Sequence, residues 1–151
     1  MNFEVVKQVV AYARSKEQEY GKHFRFTITT NGMLLNDENM DFINKEMSNV
    51  VMSVDGRKEV NDRMRKRVDG TGTYDKIMAN YKRLAEKRNY QNYYVRGTFT
   101  KYNLDFSNDV MNLYNEGFDQ ISVEPVAALP RCRFCRGPQS GRSRSGQQPR
   151  T

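Results

Sequence analysis

Hydrophobic and polar positions along the chain switch between two periods. Val5, Val6, Val9, Val10 and Ala13 recur at helical spacing, which predicts a helix over residues 3–19 with Gly21 just past its end. In HFRFTITTNG, Phe24, Phe26 and Ile28 alternate with Arg25, Thr27 and Thr29, the pattern of a strand with two unlike faces. Asn31 and Gly32 then form a turn, and Asn36 or Asp37 caps a short helix carrying Met40, Phe42, Ile43 and Met47. A second strand is NVVMSVDG, with Val50, Met52 and Val54 opposite Val51, Ser53 and Asp55. A long polar stretch runs to Gly72. After it Tyr74, Ile77, Met78, Tyr81 and Leu84 share one face of a helix over residues 74–87, with Thr73 as its cap. NYYVRGTFT reads as a third strand, residues 106–115 as a helix ending at Gly117, and FDQISVEPV as a fourth strand.

Strands separated by helices of this length imply right-handed crossovers and a parallel sheet, so the expected class is α/β. One face of each strand is apolar, as covering helices require. The other carries Arg25, Thr27, Thr29, Ser53, Asp55, Arg96, Thr98, Ser122 and Glu124. Strands buried on both faces read as continuous apolar runs. A polar second face fits the lumen of a barrel or half-barrel that holds a ligand; a half-exposed sheet, wet on that side, produces the same pattern.

Charge divides the chain. Residues 130–151 hold Arg131, Arg133, Arg136, Arg142, Arg144 and Arg150, no acid, both cysteines, and Phe134 as their only large apolar residue. Of the formal charge of +7, six units come from these arginines, leaving +1 for residues 1–129. Such a tail buries too little surface to offset its ordering entropy, so residues 129–151 are expected to be disordered beside a folded body of residues 1–128. A basic tail can neutralise nucleic-acid phosphates, which makes a non-catalytic α/β protein that binds nucleic acid the alternative reading. The near-neutral body argues against it. No run of about 18 apolar residues exists to span a membrane. The charged opening helix does not read as an export signal, so the expected compartment is the cytoplasm, with reduced cysteines.

Much chemistry lacks support. There is no GxxxxGK loop, and the only histidine, His23, precedes a strand, so neither a catalytic triad nor an imidazole metal site is indicated. DGTGTYD follows a polar loop and reads as the turn before a helix. Cys132 and Cys135 supply two of the four ligands that a tetrahedral site needs, with no second pair. The series TTNG, SVDG and NDRMR says more. It places Thr29, Ser53 and Asp55 near the C-terminal ends of strands, where parallel α/β sheets gather their ligand-binding loops. Arg65 follows in the next loop or short helix. A hydroxyl and a guanidinium there suit a ribose hydroxyl and a carboxylate. Arg65 equally fits a solvated run with Arg63, Lys66 and Arg67.

FRFTITTNG, NVVMSVDGRKEVNDRMR, the G-x-G-x-Y-D helix start, YYVRGTFT and GFDQISVEPV, in this order over residues 2–128, resemble the central part of radical S-adenosylmethionine enzymes. The resemblance is to the peptide-modifying branch with a SPASM-type C-terminal domain. Through VRGTFTKYNLDFSNDV and QISVEPV it is nearest the thioether-forming maturases of SCIFF peptides. It implies an incomplete parallel (β/α) barrel of the radical S-adenosylmethionine type, of which about four strands are present. In the family a [4Fe–4S] cluster on a CxxxCxxC loop cleaves S-adenosylmethionine. The resulting 5′-deoxyadenosyl radical takes hydrogen from a peptide, in this branch a small Cys-rich precursor that gains a thioether link. By motif position Thr29 contacts the methionine end, Ser53 and Arg65 hold the ribose and methionine carboxylate, and the backbone near Pro125 and Val126 meets the adenine. Asn61 stands where the HDxxR motif has histidine. CxxxCxxC and GGEP are missing, so the chain is expected to be an internal piece without the opening strands or the cluster domain, to hold no cluster, and to be inactive alone. The tail reads as translation in a shifted frame.

Overall fold

The computed structural model describes residues 2–126. The expectations for the tail, including Cys132, Cys135 and the shifted frame, lie outside the described residues. Among the described residues nine elements follow one another: α1 (Phe3–Tyr20), β1 (Phe26–Thr30), α2 (Asp37–Glu46), β2 (Met47–Ser53), α3 (Lys58–Met64), α4 (Tyr74–Lys87), β3 (Tyr93–Phe99), α5 (Phe106–Asn115) and β4 (Ile121–Pro125). The four strands form one sheet in the order β1-β2-β3-β4, and every neighbouring pair is parallel. Each crossover contains a helix, as parallel pairing demands.

The two strand faces part as the alternation predicts. Val50, Met52, Val54 and Val95 have no exposed surface, and they pack with Met40, Ile43, Ile77, Tyr81, Leu84 and Leu113 from the helices. Full burial of each such side chain contributes about 1.5–3 kcal/mol, so this layer holds the helices to the sheet. Thr27, Thr29, Tyr94, Arg96 and Glu124 are exposed on the opposite face, with Ser53, Thr98 and Ser122 partly so.

Several expectations shift. Met47 does not close α2 but opens β2: its backbone is already extended, and Ser48 is the extra residue of a bulge where Phe26 pairs with Met47 and Thr27 with Asn49. The polar stretch after Gly56 contains a helical segment, α3. Thr73 takes the cap position of α4, yet its side chain makes no capping bond. Asn36, by contrast, caps α2 as expected, its Oδ1 accepting from the Asn39 N–H at 2.8 Å.

Candidate cofactor-binding site

Thr29 and Ser53 lie on neighbouring strands toward one end of the sheet, and Arg65 is tied to that end through Asp55. Thr29 pairs in register with Val51, and Ser53 lies two residues further along β2, beside Arg96 of β3. By alternation both hydroxyls belong to the polar face, near the C-terminal strand ends where crossover loops converge. Arg65 is the residue that ends α3 and is partly buried.

Arg65 is not a solvated base. Its Nε donates to Asp55 Oδ2 at 2.7 Å and its Nη2 to Asp55 Oδ1 at 2.9 Å. Asp55 is 5% exposed and also accepts from the backbone N–H of Thr98 at 3.1 Å and its hydroxyl at 2.9 Å. A buried carboxylate persists only when it is paired and hydrogen-bonded, and here both conditions are met. One fork of the guanidinium is therefore engaged. The Nη1 side of the group is the part left to meet a ligand, and Asp55 fixes its orientation.

Asn61 is fully buried and has a structural place. Its Oδ1 accepts from the Asp55 N–H at 3.4 Å, and its Nδ2 donates to Asp62 Oδ1 and Thr73 Oγ1, each at 3.1 Å. Asp62 does what Thr73 was expected to do. Its Oδ1 accepts from the backbone N–H groups of Thr73 at 2.8 Å and Tyr74 at 2.9 Å, capping α4 from a neighbouring helix. Burial works against ionisation of Asp62, but the Tyr74 N–H, the Asn61 amide and the Thr73 N–H outweigh it and hold the carboxyl below its usual range. Gly72 makes the approach possible, since a Cβ there would lie 2.1 Å from Asp62 Oδ2.

From the other side α4 steadies the strand ends. The Tyr81 hydroxyl lies 3.1 Å from the carbonyl of Thr30 and 3.0 Å from that of Ser53, and Asn80 Nδ2 donates to the Gly32 carbonyl at 2.8 Å. Burial pushes the Tyr81 phenol up, which keeps it a donor. Gly32 has φ +74°, and a Cβ there would stand 2.7 Å from the Tyr81 ring, so the TTNG turn needs glycine for both reasons. Across the polar face, Arg96 forms an ion pair with Glu124.

The sequence singled out Thr29, Ser53 and Arg65 but not the residues that hold them. Asp55 stood in the polar-face pattern without a role. Asp62, Tyr81 and the Arg57–Asp109 pair, 2.7 Å apart between the start of α3 and the first turn of α5, were not given a role in the site. The available signal for Asp55 was an acid at a strand end followed by arginines in the next segment.

Thr29, Ser53 and the unengaged side of Arg65 suit the hydroxyl and carboxylate groups of S-adenosylmethionine. An iron–sulfur cluster is different. The described residues contain no cysteine, and no group of three histidine, cysteine, aspartate or glutamate side chains among them is placed to hold a metal ion. These residues do not fit a cluster. Among the described residues no helix is long and apolar enough to cross a membrane.

No protein-family model matches the sequence, and no curated protein aligns with it. Solved structures do share its fold. Native anSMEcpe with bound AdoMet and Kp18Cys peptide superposes with a TM-score of 0.74 at 16% identity, covering 89% of this chain and 38% of that one. Native anSMEcpe with bound AdoMet and Cp18Cys peptide gives 0.73 at 17%, covering 87% and 37%. A polyhistidine-tagged form of anSMEcpe with bound AdoMet gives 0.71 at 19%, covering 81% and 32%. The fold is an α/β unit of four parallel strands, the arrangement it shares with these solved structures. At these identities the likeness establishes the fold alone, and the chain spans about a third of the length of the solved chains it matches.

Proposed function

We propose that this chain is the S-adenosylmethionine-binding core of a radical S-adenosylmethionine enzyme that modifies a peptide. The observation that carries the reading is the Asp55-oriented Arg65 at the C-terminal end of β2, in a four-stranded parallel sheet whose neighbouring strands carry Thr29 and Ser53. Ordered motifs and a shared fold with anSMEcpe, solved with AdoMet and peptides, support it. The wording of VRGTFTKYNLDFSNDV and QISVEPV favours thioether formation on a small Cys-rich precursor. Bound S-adenosylmethionine supplies the reactive 5′-carbon. This chain's residues bind and orient it: Ser53 through a ribose hydroxyl, Arg65 through the methionine carboxylate, Thr29 at the methionine end. The described residues offer no thiolates for a cluster, so the core by itself would be inactive.

The test is calorimetric titration of S-adenosylmethionine into a complete enzyme carrying this core, as wild type and as Ser53→Ala and Arg65→Ala. A hydrogen bond to a charged group is worth about 1.5–3 kcal/mol, so Arg65→Ala should weaken binding by about tenfold to a hundredfold. Ser53→Ala, which removes a neutral contact of about 1 kcal/mol, should cost about fivefold. Unchanged affinity in a folded Arg65 variant would overturn the assignment.

A further inference from the structure

Between α3 and α4 the chain folds back on itself. Lys66 and Gly72 form an antiparallel bridge, the Arg67 N–H donates to the Thr71 carbonyl at 2.9 Å, and the Gly70 N–H donates to the Arg67 carbonyl at 3.0 Å. Asp69, the one acid of this finger, is exposed but bonds within it: its Oδ1 accepts from the Thr71 N–H at 2.9 Å and the Thr71 hydroxyl at 2.6 Å. The base is anchored to the candidate site, because Thr73 Oγ1 donates to the Arg65 carbonyl at 2.8 Å and Gly72 packs on Asp62. The finger is thus a shaped element and not a slack loop.

Its outward side chains have an unusual composition. Val68 at the tip is wholly exposed. Arg63, Lys66 and Arg67 are exposed and make no close ion pair among the described residues, unlike Arg65 and most cations of the body, although Arg67 lies near enough to Asp69 to help hold its carboxyl below the usual range. Arg65, Lys66, Arg67 and Val68 form one wall of a hollow of about 450 Å³, whose other side is Asn31 and Met33 after β1. Aliphatic surface therefore alternates with exposed cations in a hollow that also holds Arg65. No aromatic side chain lines the hollow, so it lacks the stacking platforms on which single-stranded nucleic acids are held. Guanidinium and ammonium groups beside aliphatic surface match a carboxylate next to an apolar side chain.

We infer that the Lys66–Gly72 finger is the substrate-reading element of this site and selects peptides in which an acidic residue adjoins an aliphatic one. This rests on the peptide-modifying reading above. Lys66 and Arg67 would hold the carboxylate, while Val68 and Met33 cover the aliphatic neighbour, placing the peptide against the end of the sheet that carries Arg65.

Fluorescence anisotropy on the full chain, without S-adenosylmethionine, tests it with two labelled, acetylated peptides, GSLEEGS and GSLQQGS. Exposed charge pairs are worth up to about 1 kcal/mol, so the glutamate peptide should bind about fivefold tighter than the glutamine peptide. The Lys66→Gln/Arg67→Gln double variant should lose that preference, and Val68→Ser should weaken both peptides by about twofold while circular dichroism stays unchanged. Equal affinity for the two peptides overturns the inference. So does a preference that survives in the double variant, as binding by the arginine-rich tail would give. Tighter, variant-sensitive binding of oligothymidylate would mark a nucleic-acid surface instead. Because no cofactor is present, a failed S-adenosylmethionine titration with intact peptide selection would remove the functional reading and leave the finger's specificity standing.

Discussion

The Asp55 carboxylate and the Arg65 guanidinium meet edge to edge, with Nε–Oδ2 at 2.7 Å and Nη2–Oδ1 at 2.9 Å. The pair joins the end of β2 to the end of α3, and Thr98 ties the same carboxylate to β3. Arg65, proposed to meet a ligand, is therefore also a bolt in the fold, and its removal acts on stability as well as on any affinity.

Truncating either partner should be costly. Asp55→Ala is expected to destabilise the chain by about 3 kcal/mol, because it strands the guanidinium and frees two Thr98 donors. Arg65→Ala should cost about 1–3 kcal/mol, since Thr98 still serves the carboxylate. The double variant should lose clearly less than the sum of the two. Urea denaturation of the four proteins measures the coupling.

Asp62 and Gly72 should behave as one unit. Asp62→Ala removes the carboxylate that caps α4, at about 1–2 kcal/mol. Gly72→Ala brings a methyl group onto that carboxylate and should cost a similar amount by displacing the cap. With Asp62→Ala already present, Gly72→Ala should cost little. Simple additivity in thermal melts would show that the close approach is not what the glycine serves.

Tyr81→Phe removes only the hydroxyl that reaches the Thr30 and Ser53 carbonyls. Those carbonyls lose a buried donor, so a loss of about 1–3 kcal/mol is expected with secondary structure intact. Amide hydrogen exchange should rise at the C-terminal ends of β1 and β2 and hardly change in α5.

Stability should fall at both extremes of pH, for separable reasons. Asp62 is held below its usual range in the folded chain, so its contribution is present above about pH 4 and lost as pH drops through the folded value. Tyr93 is pushed up to about 12 by burial and by its bond to Asp119, so its contribution is complete below about pH 10 and lost as pH rises toward 12. Urea midpoints across pH should show a flatter acid limb in Asp62→Asn. Tyr93→Phe should flatten the alkaline limb without abolishing it, because Tyr81 shifts the same way.

Period and order along the chain determined the architecture. Alternation in NVVMSVDG set which side of β2 meets the helices, and helical repeats between strands required parallel pairing. Order alone brought Thr29, Ser53 and Asp55 to one end of one face. These features were legible because each depends on neighbours within a few residues. Tertiary structure decided what each polar group bonds. Arg65 and Lys66 are adjacent cations, yet one is locked to Asp55 and the other is unpaired among the described residues. Only the fold of α3 against β2 distinguishes them. Asp62 caps a helix that begins twelve residues later, and the sequence pointed to Thr73 because capping rules look one turn ahead and no further. Met47 changed from helix to strand because a bulge admitted Ser48 into the pairing with β1. Propensity is local, whereas the satisfaction of a buried polar group is settled by whichever donor or acceptor the completed packing brings within about 3 Å.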